Sequence, residues 1–205
     1  MSDRTELVAT VLLAVAAVAT AWSGYQATRW NGEQTKASSR TNAIRIDAAR
    51  AQGLSEAQKE VDVATFIQWV DAYAHRETEL TTFYERRFRS EFKPSFRAWL
   101  ATKPLTNANA PLTPFVMPQY RLAAEEEAER LDAAAEVSSA TVRRNIQRSS
   151  NYVLGVVLFS VALFFAGMST KLTNLRFRQF ALVVGCAVFL GTLVWIATSP
   201  VSLSV

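Results

Sequence analysis

Catalysis needs a nucleophile, an acid, a base or a metal held in one place, and few residues of this chain qualify. The only histidine, His75, lies between Tyr73-Ala74 and Arg76-Glu77 in a helical pattern. The only cysteine, Cys186, lies in an apolar run, which rules out an intrachain disulfide. Without a second histidine or cysteine there is no zinc-type ligand set, and the seven glycines are scattered rather than gathered into a phosphate-binding loop. Glu125, Glu129, Asp132 and Glu136 fall on one face of a helix and would suit a divalent cation, but an acidic helical face is more commonly a solvated surface. The residues therefore point away from an enzyme and imply no cofactor and no metal.

Transport is a second kind of chemistry, and ion-coupled carriers place ionisable groups inside the membrane, where such groups are costly. No Asp, Glu, Lys, Arg or His occurs between Leu7 and Trp22, between Tyr152 and Met168, or between Phe180 and Thr198. Polar atoms in these runs come from Thr10, Thr20, Ser160 and Thr192, whose hydroxyls are expected to bond to the preceding turn of their own helix.

These charge-free runs approach the length of about 20 residues needed to cross a bilayer, and Trp22, Tyr25, Trp30, Tyr152 and Trp195 place amphipathic rings near their ends. Ala17-Val18-Ala19 and Ala19-Thr20-Ala21 have the small-residue pattern of a signal-peptide cleavage site. Arg4, however, is offset by Asp3 and Glu6, so the first run reads as a retained span. The expected fold is an all-α membrane protein with three transmembrane helices at 1–25, 150–169 and 179–199. At least two of them continue as long helices into an extramembrane domain over 26–149, and a short basic loop at 170–178 and a tail at 200–205 complete the chain. The bilayer is the first expected partner. The net charge of +4 is small, and residues 23–148 carry 18 basic against 16 acidic side chains, so nucleic acid is not implied.

Within the domain, helices are expected near 26–52, 56–92, 94–102 and 118–149. Gly53 reads as a stop, and Ser55 with Gln58 has capping-box spacing for the next helix. Val63, Phe66, Ile67, Val70, Tyr73, Leu80, Phe83, Tyr84 and Phe88 recur at helical spacing, with Asp62, Asp71, Glu77, Glu85 and Arg86 expected on a solvated opposite face. Pro94 suits the first turn of a short helix holding Phe96, Trp99 and Leu100. In the last helix acidic residues precede Arg143, Arg144 and Arg148, an order that complements the helix macrodipole.

Two features suggest association. Thr10, Ala14, Ala17, Ala21, Gly24 and Thr28 form a seam of small residues with alternating four and three spacing, and Ala187 with Gly191 gives the third span a small-xxx-small face. Between Pro104 and Pro118 a loop with four prolines carries Leu105, Leu112, Phe115, Val116 and Met117, an apolar group that needs cover. We expect Leu112, Phe115, Val116 and Met117 to meet a second subunit or another partner protein, the alternatives being the helices of the same domain or the lipid surface. The reading that follows is a structural or interaction protein that self-associates; the alternative is an oligomeric channel lined by small hydroxyl-bearing helix faces.

The stretches GYQATRWNGEQ at 24–34 and RRFRSEFKPSFRAWLATKPLTNANAPLTPFVMPQYR at 86–121 resemble a group of uncharacterised bacterial three-span membrane proteins. That resemblance implies a bacterial inner membrane and this architecture, and it carries no activity. Lys171, Arg176 and Arg178, with no acid beside them, mark the short loop as cytoplasmic, which places the domain in the periplasm.

Overall fold

The computed structural model describes residues 2–202. Among them the regular structure is helical, without strands, and three of the helices are long and apolar enough to cross a membrane. Five α-helices follow in order: α1 (Ser2–Ala74), α2 (Thr78–Arg87), α3 (Lys93–Ala101), α4 (Ala123–Lys171) and α5 (Leu175–Ala197), with a 3₁₀ turn at Pro114–Val116 between α3 and α4. The chain divides into two compact units, Met1–Arg40 with Val137–Val205, and Thr41–Glu136.

The expected break at Gly53 is absent, because α1 runs unbroken to Ala74. A glycine that ends a helix does so in the left-handed region, and no described glycine has positive φ. Gly53 is instead an ordinary helical residue whose Cβ position is open space, flanked by the helix formers Ala48–Gln52 and Leu54–Lys59. Ser55 is fully buried in mid-helix, where it cannot serve as an N-cap.

The real stop comes at a residue that gives no glycine signal. Arg76 adopts φ 61°, the Glu77 N–H donates to Ala72 O at 2.9 Å and the Arg76 N–H to Tyr73 O at 3.0 Å. This is a Schellman motif with arginine in the left-handed position. The helix expected over 56–92 is therefore cut into the end of α1 and the separate α2, and it ends at the extended Phe88. That extension lets both Phe88 and Phe92 reach the interior. The short helix around Pro94 is present as α3, with Phe96 and Trp99 buried.

The last helix starts at Ala123 rather than near 118. Residues 118–122 stay non-helical, which buries Leu122 and swings Tyr120 into the domain interior. The Glu91 carboxylate then accepts from the Ala123 N–H at 3.0 Å, satisfying a donor that the first turn of α4 leaves open. Between α4 and α5 the basic loop is shorter than 170–178: Arg176 and Arg178 belong to α5, whose start is capped by Asn174 accepting from the Arg176 N–H at 3.0 Å.

Candidate functional site

In the unit formed by Met1–Arg40 and Val137–Val205, α1 presents Ala9, Leu12, Ala16, Ser23, Gln26, Ala27 and Trp30 to α4 and α5. These residues also keep three and four spacing, on a face turned by about 100° from the expected seam, since neighbouring helical residues differ by that angle. Thr10, Ala14, Ala17, Ala21 and Thr28 are exposed, and Gly24 is half-buried with its Cβ position 3.9 Å from Val156. The small-residue seam thus lies outside the packing of the single chain.

The third span behaves alike. Ala187 and Gly191 face outward, and nothing lies within 4 Å of a Cβ built on Gly191. The close approach of α4 and α5 runs instead through Gly185, whose Cβ position is 3.3 Å from both Ala162 O and Phe165 Cβ. A second tight point is Gly155, 2.9 Å from Ile196 Cδ1.

Residues just beyond α5 are pinned by side chains that the sequence did not mark for this purpose. The Trp30 indole N–H donates to Pro200 O at 3.1 Å and the Tyr152 hydroxyl donates to the same oxygen at 3.2 Å. The buried Gln26 amide brackets Ser202, accepting from its N–H at 3.0 Å and donating to its carbonyl at 3.5 Å. Arg148 lies over the Trp30 ring at 4.5 Å. At the basic turn Lys171 and Arg176 are exposed, whereas Arg178 keeps only 14% of its side chain exposed and sits 3.9 Å from Glu6.

The hydroxyls Thr10, Thr20, Ser160 and Thr192 donate to Glu6 O, Ala16 O, Val156 O and Val188 O, each one turn back along its own helix. Their donor capacity is used locally.

The unit Thr41–Glu136 is built around aromatic rings. Phe66, Trp69, Phe88, Phe92, Phe96 and Trp99 form its core, and Phe66 meets Trp99 edge-on at 5.3 Å while Trp69 meets Phe96 at 4.9 Å. Phe115 stacks on Phe92 at 5.1 Å and Met117 packs against the same cluster. The expectation that Leu112, Phe115, Val116 and Met117 form one outward contact patch is therefore corrected for Phe115 and Met117. Pro114 opens the 3₁₀ turn, and across it Phe115 and Met117 pack against the core while Val116 is exposed. Leu112, 92% exposed, with Val116 and Leu105, remains outside.

Asp62, expected among solvated charges, has no exposed surface. Its carboxylate accepts from Arg89 Nη1 at 2.8 Å and from the Tyr120 hydroxyl at 3.1 Å, while Arg89 also pairs with Glu91. Burial pushes the Asp62 carboxyl above its ordinary range, and the Arg89 guanidinium and the two hydrogen bonds pull against it. Burial, followed by the Asp62 charge, raises the Tyr120 hydroxyl well above the usual phenol value. The cluster cross-links α1, the turn before α3 and the approach to α4. No signal in the sequence separates Asp62 from the solvated carboxylates around it, because its burial depends on Arg89 being brought from 27 residues away.

Beside this core lies a groove of about 900 Å³, walled by Phe66, Trp69 and Tyr73 of α1, by Trp99 of α3 and by the loop from Pro104 to Leu112, with Arg76 at its edge. His75 lies next to it in sequence, exposed, its imidazole raised above the usual value by the hydrogen bond to the Asp71 carbonyl. On α4 Glu125 pairs with Lys59 at 2.6 Å, and among the described residues no group of three or more His, Cys, Asp or Glu is placed to hold a metal.

Comparison of the chain with family models, with curated proteins and with solved structures gave no match.

Proposed function

We propose that this chain is an integral membrane structural or interaction protein that assembles with copies of itself through the small-residue face of its first span. The observation that carries this reading is the outward position of Thr10, Ala14, Ala17 and Ala21, on a helix whose other small face is already used for packing within the chain. In lipid there is no hydrophobic force between spans, so helices associate where small residues let backbones approach closely. Ala187 and Gly191 offer a second face of the same kind, and Leu112 and Val116 supply outward apolar contacts in the domain. The local hydrogen bonds of Thr10, Thr20, Ser160 and Thr192 favour this reading over a hydroxyl-lined channel. The test is the mass of the protein-only part of the complex in a mild detergent, which should be a multiple of the 22.7 kDa chain.

The setting proposed is a bacterial inner membrane with the domain in the periplasm, supported by the acid-free turn carrying Lys171, Arg176 and Arg178. With Cys186 replaced by Ser, an Asn109→Cys variant should react with a membrane-impermeant maleimide in intact spheroplasts. Reaction only after lysis would put the domain in the cytoplasm.

A further inference from the structure

The groove of Thr41–Glu136 is lined by none of the small residues of α1 and α5, and its lining has a definite chemical character. Both indole N–H groups in its walls are already committed, Trp69 to Glu85 Oε1 at 3.0 Å and Trp99 to Pro111 O at 2.7 Å. Phe66, Trp69 and Trp99 are themselves buried in the core, so the apolar surface open to a ligand comes from Val70, Tyr73, Leu105 and Leu112. The polar groups at the edge are mostly spent as well. The Thr81 hydroxyl donates to Thr78 O, and the Asn107 amide donates to Thr102 O while its carbonyl accepts from the Asn109 N–H.

Arg76 is the exception. It is the only charged side chain in the lining, it makes no ion pair among the described residues, and Glu77 and Glu79 do not line the groove. The Schellman turn holds it at φ 61°, a conformation that glycine or asparagine adopts far more readily than arginine. Arginine stands there against the preference of its own backbone.

We propose that the groove binds an anionic amphiphile, a molecule with a flat or aliphatic apolar body and one acidic group. The body lies against Val70, Tyr73, Leu105 and Leu112, and the acidic group takes charge-assisted hydrogen bonds from the Arg76 guanidinium, whose planar fork matches a carboxylate, sulfonate or phosphate. A volume near 900 Å³ lies within the range of small-molecule sites and accommodates a multi-ring acid or a folded acyl chain. A cationic ligand would meet the same apolar surface, but Arg76 would repel it.

The probe is 1-anilinonaphthalene-8-sulfonate, with the uncharged N-phenyl-1-naphthylamine as its control, titrated into the full chain in phosphatidylcholine nanodiscs against empty discs. We expect one saturable sulfonate site per chain. Arg76→Asn suits the left-handed backbone, so it removes the charge without disturbing the turn. It should weaken sulfonate binding about tenfold or more, the loss of one charge-assisted pair, and leave naphthylamine binding unchanged, while Arg76→Lys retains part of the affinity. Ala108→Trp, which fills the groove from the loop side, should remove both probes. Displacement of the sulfonate by oleate would assign an acyl-chain acid of membrane origin, and displacement by 2-naphthoate a soluble aromatic acid. Sulfonate binding that ignores Arg76→Asn, survives Ala108→Trp, or is displaced by neither acid would overturn the proposal.

Discussion

Asp62 shows how much one residue's surroundings alter its meaning. As a member of the helical repeat it is one acid among several, yet in the folded domain its carboxylate is sealed from water and depends on Arg89 and Tyr120 for compensation. Removing one member of a buried ion pair strands the other, at a cost of about 3–5 kcal/mol. Arg89→Leu should therefore destabilise the domain by about that amount at neutral pH. The pH dependence has a definite sign. Asp62 has a raised folded pKa, so it favours folding below its unfolded value and this contribution is lost as pH rises through the folded value. In Arg89→Leu the carboxyl rises further, and acidification neutralises the stranded charge. Chemical denaturation at neutral and at mildly acidic pH should show the penalty shrinking toward the acid side; a penalty independent of pH would mean that Arg89 acts through packing.

At the scale of elements, the two glycines of α5 differ in what the single chain packs against them. Gly185 lies at a backbone contact with α4, and Gly185→Leu should overpack it and cost about 1–3 kcal/mol. Gly191 faces open space, so Gly191→Leu should leave thermal stability near that of the parent once the detergent is held constant. Equal losses in both variants would place Gly191 in a contact that the single chain does not show. The three apolar runs and the short proline-started helix were legible in the sequence because each rests on a local property, run length or the fixed φ of proline. The helix ends were not. Arg76 stops α1 without the glycine that usually announces such a turn, and Gly53 passes through α1 without stopping it. The small-residue faces of α1 show the same limit: Ala9, Leu12, Ala16, Ser23, Ala27 and Thr10, Ala14, Ala17, Ala21, Thr28 have equivalent spacing, and only α4 and α5 decide which one is covered. Likewise the proline loop was visible as an apolar oddity, but the division that turns Phe115 and Met117 inward and Leu112 and Val116 outward is set by the aromatic core they meet.

For the whole molecule, the chain combines three helices able to cross a membrane with an aromatic-cored helical unit, and it leaves one small-residue face of α1 uncovered. The proposed assembly brings this face against another copy. Multi-angle light scattering on size-exclusion fractions in a mild detergent, corrected for bound detergent, measures it most directly. The parent chain should elute as a multiple of 22.7 kDa, and the double variant Ala17→Leu with Ala21→Leu should move toward a single chain while its circular dichroism stays helical. A parent protein that already runs as one chain, or a double variant whose mass does not change, would contradict the account.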